Sequence, residues 1–334
     1  MNSDKAEKSK SILVVSLDFE MYWGMADYAD IKSWAPIMER VYKVVPELLR
    51  IFERHGIHST WATVGALMAK NDEEFLEYLP KPVSSQTDAI LRKLGIWPVK
   101  DESQCPRNIL FAPELVEMIA KTPGQEIGTH TYSHYYCDKP TSKIDDFSGE
   151  IKAACAIAKK NGYDIKTIVF PRNQISDEYV DVIADTGIIA YRGNEHSWIN
   201  KLKGKIKTLV WYADNYLPIA KFGYQLKEVK AKDKYNVKKS RFFKPRMFKY
   251  KVLEPFKLLR YKHEMRSAAK RGEVYHMCWH PHNFATFSKE NFVQIEKLFC
   301  YYDKLCRKYG MKSLNMVEVT EEYNKYFRET REQL

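Results

Sequence analysis

The chain alternates short apolar runs with longer amphipathic ones. Residues 12–18 are β-branched and apolar and run into two acids, which predicts a buried strand. Over 36–54, Ile37, Val41, Val44, Val45, Leu48, Leu49 and Phe52 recur at helical spacing, and the pattern stops at Gly56. Residues 58–64 predict a second strand, with a short helix to Lys70. The stretch 71–108 carries Pro80, Pro82, Pro98 and Pro106 and reads as an irregular insertion. Then come a helix over 112–121, a strand over 125–129 and a helix from about 142 to 161. A strand over 165–170, a helix over 177–186 and a strand over 188–191 follow. Beyond residue 271 the pattern predicts a strand over 273–279, a helix over 287–308, a strand over 312–317 and a last helix to about Arg328. This rhythm implies a single α/β domain over 10–330, with a parallel sheet or barrel inside a layer of helices.

Composition adds bounds. With 334 residues, 45% of them hydrophobic, and seven Trp, the chain has enough apolar mass for a sizeable core. No apolar run approaches the roughly 18–20 residues that span a bilayer. Residues 1–10 are polar and charged and only about seven strand residues follow, which is not the pattern of a secretory leader. The expected location is therefore the cytoplasm. The six cysteines (Cys105, Cys137, Cys155, Cys278, Cys300, Cys306) form no C-x-x-C pair and read as reduced thiols. The net charge of +11 is uneven: residues 201–271 hold 22 Lys+Arg against 5 Asp+Glu, so the rest of the chain is net acidic.

Three polar clusters follow predicted strand ends: Asp18/Glu20, His130/His134 and His280/His282. A (β/α) barrel gathers its chemistry at that rim. His130 and His134 are at i, i+4, so a helical turn would aim both imidazoles the same way. Asp18 and Glu20 are at i, i+2 and share a strand face. Two histidines and a carboxylate leave open positions on a divalent metal, as hydrolysis requires. One acid would ligate and the other would take a proton. His280, in Cys278-Trp279-His280-Pro281-His282, has the chemistry of a proton donor near neutrality. Each motif alone also fits ordinary surface or core residues; their common position argues for a site.

Taken in order, the motifs resemble the polysaccharide deacetylase (NodB-homology) superfamily. The counterparts are Ser16-Leu17-Asp18-Phe19-Glu20, His58-Ser59-Thr60-Trp61-Ala62-Thr63-Val64-Gly65, His130-Thr131-Tyr132-Ser133-His134, Phe170-Pro171-Arg172-Asn173-Gln174 and Cys278-Trp279-His280-Pro281. The resemblance covers about 10–200 and 272–320. It implies an irregular (β/α) barrel of the glycoside hydrolase/deacetylase type, with insertions. It also implies metal ligands Glu20, His130 and His134, a general base Asp18, a general acid His280 and a catalytic role for Arg172. Backbone N–H groups near Tyr135 or Tyr136 would face the oxyanion. Tyr135, Trp23, Arg192, Asn194 and His282 would line the substrate groove. The implied activity is metal-dependent N-deacetylation of a sugar of surface-polysaccharide metabolism, with Zn2+ the preferred ion for imidazole and carboxylate ligands. Hydrolysis of another amide, such as a cyclic ureide, or a catalytically dead barrel that binds carbohydrate or membrane, are the alternatives.

The basic segment 201–271 interleaves its cations with twelve aromatics, among them Trp211, Phe242, Phe243, Phe248, Tyr250 and Phe256. It reads either as a solvated insertion with a small core of its own, or as a platform for a nucleotide- or lipid-linked sugar or an anionic membrane face. Nucleic acid is the least favoured partner.

Overall fold

The computed structural model describes residues 11–332 apart from 99, 102–104, 196–197, 215, 218–222 and 247–251. Among the described residues, ten strands form one curled sheet: β1 (Ile12–Phe19), β2 (Ser59–Thr63), β3 (Gln125–Thr129), β4 (Thr167–Ile168), β5 (Ala190–Tyr191), β6 (Lys230–Ala231), β7 (Lys234–Asn236), β8 (Arg241–Phe242), β9 (Val274–Trp279) and β10 (Lys312–Leu314). Their order is β6-β7-β5-β4-β3-β2-β1-β9-β8, with β10 beside the start of β1. Every pairing is parallel except the β6–β7 hairpin. β1 is the centre, and all eight of its residues are buried. Parallel strands need crossovers, and the helices predicted between strands supply them. The result is the irregular (β/α) barrel expected above.

Several elements differ from the sequence reading. The helix expected over 36–54 is two helices, Ile31–Glu39 and Val41–His55. The strand expected over 165–170 is only two residues long, and the last strand ends at Leu314 because a helix starts at Met316. The stretch 71–108 is not irregular. It holds helices Asp72–Tyr78 and Ser85–Leu94, capped by the side chains of Asn71 and Ser84. Pro80 and Pro82 fall between these helices and Pro98 and Pro106 after the second, where they cost no helical hydrogen bond.

The basic segment is likewise no separate unit. It contributes β6, β7 and β8 to the same sheet, and Tyr224, Leu226, Val229 and Val237 pack with Ile12, Val14 and Val274 of the barrel. Residues 237–240 bridge the two ends of the curl: Val237 N–H donates to the Tyr191 carbonyl and Ser240 N–H to the His276 carbonyl. Of its aromatics, Phe248, Tyr250 and the Trp211 side chain lie outside the described residues. No helix among the described residues is long and apolar enough to cross a membrane.

Candidate active site

The C-terminal ends of β1, β3, β5 and β9 converge, and each delivers a functional side chain. β1 carries Ser16 and Asp18 on one face, with Glu20 just past its end on the same side. His130 and His134 follow β3. They are not on a helix. Thr131 (φ 64°) and His134 (φ 62°) take left-handed backbone, and this sharp turn is what aims both rings at Glu20. Met21, Arg172 and Asn173 are also left-handed non-glycine residues on neighbouring loops, the clustering of backbone strain common at functional sites.

Glu20 Oε2 lies 3.3 Å from His130 Nε2 and 3.0 Å from His134 Nε2, and all three side chains are buried. His130 Nδ1 faces the Val169 carbonyl at 2.7 Å, so Nδ1–H donates there and the Nε2 lone pair is left for Glu20's side of the cluster. Burial lowers the His134 pKa and keeps the ring neutral, as a ligand must be. Burial pushes the Glu20 carboxyl up, but the surrounding His280, His130 and His134 outweigh it and hold it well below the usual range. The His134 Nδ1 is buried and has no hydrogen-bond partner. Three ligand atoms within 4.8 Å of one another, two imidazoles and one carboxylate, fit a divalent cation. Gly24 makes this packing possible: a Cβ there would overlap the Glu20 carboxylate.

The turn has a floor. The Glu150 carboxylate, on helix Ile144–Lys160, accepts from Tyr132 N–H (2.9 Å), Ser133 N–H (2.7 Å) and Ser133 Oγ–H (2.7 Å). From the 71–108 stretch, Gln86 clamps both backbone groups of Tyr136, and Phe75 stacks on Tyr132 at 5.1 Å. The supposed insertion thus supports the His130–His134 turn.

Asp18 stands beside the cluster but outside it. Arg192, the residue after β5, clamps it from Nη1 to Oδ1 (2.5 Å) and from Nη2 to Oδ2 (2.8 Å). Burial pushes the Asp18 carboxyl up, yet the Arg192 charge and hydrogen bonds, with His280 and His130, take it far below the usual range. His280 Nε2 is 3.6 Å from Asp18 Oδ2 and 3.5 Å from Glu20 Oε1, and the ring is a quarter exposed, which leaves it open to a ligand.

Several groove and catalytic assignments need correction. Arg172 does not touch Asp18; it pairs with Asp27 at 3.1 Å and lies over the Tyr136 ring, with Tyr28 on its far side. Arg192 is committed to Asp18 rather than to a groove. Trp23 is fully buried, with Nε1–H donating to the Leu110 carbonyl, and Tyr135 is buried with its hydroxyl on helix Ile144–Lys160. The Tyr135 and Tyr136 N–H groups donate to Thr131 Oγ1 and Gln86 Oε1, so neither faces an oxyanion. Asn194 is exposed and donates to the Asn173 carbonyl. His282 sits behind His280, against Trp34, and burial with the His280 charge lowers it to about 3. The exposed residue at the mouth is Tyr28, beside Arg172.

Beneath Asp18 lies a relay that the sequence reading missed. His276 Nδ1–H donates to the Val237 carbonyl (3.0 Å), which makes His276 Nε2 the acceptor of the Ser16 hydroxyl (2.8 Å). Ser16 Oγ in turn accepts from Arg192 Nη1 (3.0 Å), and Asn173 Oδ1 accepts from Nη2 (3.0 Å). Strand parity carried a signal: Ser16 shares a face with Asp18, and His276 with Cys278 and His280. Nothing comparable marks Asn173. Burial and the Arg192 charge lower His276 to about 3 from 6.5. Its contribution to stability is therefore complete above about pH 6.5 and is lost as pH falls toward 3, at up to about 1.4 kcal/mol per pH unit. Urea unfolding at pH 7.5, 6.5 and 5.5 reads this directly: His276→Gln loses less stability per pH unit than wild type, by about one proton's worth. Identical pH slopes would refute the buried neutral His276.

Fold and rim together define a (β/α)-barrel protein of the deacetylase type. The polysaccharide deacetylase family model matches residues 38–191, which include His130 and His134. Over 96% of this chain and 93% of its own, the crystal structure of a provisionally assigned polysaccharide deacetylase from Mycobacterium smegmatis superposes with TM-score 0.60 at 11% identity. A 4-alpha-glucanotransferase from Thermococcus litoralis shares the fold at TM-score 0.52 and 12% identity, over 94% of this chain and 40% of its own. No curated protein matches by sequence. The matched stretch spans a little under half of the chain, and the barrel shares its fold with the Mycobacterium smegmatis structure. Sugar N-deacetylation is the general activity of the family whose model matches this stretch, and metal dependence is general in that family.

Proposed function

We propose that this protein is a metal-dependent sugar N-deacetylase whose substrate is a precursor or component of a surface polysaccharide. The observation that carries this reading is the juxtaposition of Glu20, His130 and His134 with an Arg-clamped Asp18 and a partly open His280. Glu20, His130 and His134 would hold a divalent cation, Zn2+ by preference, which would supply Lewis acidity and lower the pKa of water. Asp18 accepts the proton of the attacking water. Arg192 holds both carboxylate oxygens, so Asp18 enters the reaction ionised and oriented. His280, within reach of both acids, carries a proton to the departing amine. Tyr28 and Arg172 at the mouth offer a ring face and a cation to the sugar.

Substrates of this kind are built on pyrophosphate carriers, either nucleotide or polyprenyl lipid, and a cytoplasmic protein meets both. The test is acetate release from N-acetylated nucleotide sugars, lipid-linked sugars and chitooligosaccharides, after chelation and after Zn2+ is restored. Release that depends on the added ion is expected on at least one class. No release from any class by metal-loaded, folded protein would sink the proposal.

A further inference from the structure

The helix Glu254–Arg271 exposes apolar residues at its start and buries ions beneath them. Its outward stripe, spaced i, i+4, i+7, begins with Val252 just before the helix, then Phe256 and Leu259, which are 82%, 53% and 62% exposed. The stripe continues through His263, Arg266 and Lys270, all exposed. The inward face buries Tyr261, Met265, Ala268 and Ala269 and, with them, ions: Glu254, Lys257, Arg260 and Glu264 are each under a tenth exposed. They form a network in which Lys257 pairs with Glu254 (2.7 Å), Arg260 with Asp214 (2.7 Å) and Arg241 with Glu264 (2.7 Å). A helix facing water on its outer side carries its apolar residues inward and its charges outward. Here large apolar side chains stand in solvent over the first two turns, and a cluster of exposed apolar residues is unfavourable unless it meets something apolar.

The neighbouring helix Gly204–Asp214 repeats the feature. Ile206 and Leu209 are 66% and 71% exposed, flanked by exposed Lys203 and Lys205. Its last residue, Asp214, binds Arg260 and Arg241, which ties the two helices together. Six of the eleven large exposed hydrophobic residues among those described lie in 201–271: Ile206, Leu209, Leu217, Val252, Phe256 and Leu259. The same segment holds 22 Lys+Arg and 5 Asp+Glu. Three of those acids, Asp214, Glu254 and Glu264, are buried in ion pairs, so the outside is overwhelmingly cationic.

We propose that this face docks on an anionic lipid bilayer, with Val252, Phe256 and Leu259 entering the interface and the lysines and arginines meeting lipid phosphates. Cations would serve any polyanion. The exposed aliphatics favour a bilayer, because a nucleic acid offers them nothing to bury against, whereas an interface takes apolar side chains and cations together. The placement suits the barrel. Residues just after β8 hold the start of the helix, Lys244 N–H donating to Tyr261 Oη and Lys257 Nζ to the Pro245 carbonyl. Phe242 of β8 stacks 5.5 Å from His280. The apolar end of the helix is thus at the rim that carries Asp18, Glu20 and His280, and a docked protein presents its site to sugars held at the lipid surface.

This inference does not rest on catalysis, so its test reads binding alone. The full chain is sedimented with vesicles of phosphatidylglycerol and phosphatidylcholine, and with pure phosphatidylcholine, at about 0.1 and 0.5 M NaCl. Binding to the anionic vesicles is expected, weakened about tenfold or more by salt and by the double change Phe256→Glu/Leu259→Glu. Arg266→Glu/Lys270→Glu reports the charge contribution on a second pair. Both variants alter exposed side chains and keep the far-UV circular dichroism and metal content of the parent. No vesicle binding, equal binding to both vesicle types, binding indifferent to the Phe256/Leu259 change, or retention by RNA in place of vesicles would overturn the proposal.

Discussion

Asp18→Asn is expected to lower turnover by about 10²–10⁴-fold, the usual contribution of a positioned base, while the protein still takes up its metal. Asn preserves the shape of the carboxylate and one acceptor for Arg192, but it cannot receive a proton. Asp18 lies outside the Glu20–His130–His134 cluster, so metal uptake should survive, and KM should change far less than kcat. The substitution also removes the countercharge of a guanidinium that is 1% exposed. Breaking a buried pair typically costs about 3–5 kcal/mol, so the comparison belongs at a temperature where circular dichroism shows both proteins folded. Near-wild-type turnover in Asp18→Asn would remove Asp18 from the role of base. Loss of the metal in the same variant would place it among the ligands instead. His280→Ala belongs to the same experiment, with a loss of similar order and the metal retained.

His134→Ala is expected to abolish stoichiometric metal binding and, with it, activity. Two remaining ligands, Glu20 and His130, leave too few donors for tight binding of a divalent ion. Elemental analysis after dialysis reads the loss directly. Thermal unfolding gives an independent signal: added Zn2+ should raise the Tm of the wild type, because it binds only the folded state, and leave that of His134→Ala unmoved. Retained stoichiometric metal in His134→Ala would break the proposed ligand set. The two variants separate the roles cleanly, since one keeps the ion and loses the base, and the other loses the ion and keeps the base.

The membrane inference stands apart from both. A protein that fails to release acetate yet binds anionic vesicles through Phe256 and Leu259 would refute the deacetylase and leave the docking face intact. The reverse result would do the opposite.

Much of this was legible in the chain. The continuous apolar run into Asp18 and Glu20, the strand before His130 and the strand before His280 are local patterns, and buried parallel strands must be apolar wherever they lie. Their shared direction follows from the helices between them, so the gathering of three polar clusters at one rim could be read without coordinates. The barrel and the convergence of His130, His134, Asp18, Glu20 and His280 at one rim were therefore legible in the sequence.

What required the tertiary structure is how those residues are held. Arg192 and Asp18 are 174 positions apart, and no local pattern tells which arginine meets a given carboxylate; Arg172 was the nearer match by motif and points elsewhere. Trp23 and Tyr135 looked like groove residues because they adjoin the motifs, but adjacency along a chain does not decide which way a side chain turns in a loop. The His130–His134 turn departs from a helix at two left-handed residues, which depend on the floor supplied by Glu150 and Gln86. The same holds for the helix Glu254–Arg271. Its composition announced charge, but only packing decided that the ions face in and the leucine and phenylalanine face out. Strand and helix periods are set by neighbours within a few residues, whereas ion pairs, loop turns and exposed faces are set by whatever distant segment the fold brings alongside.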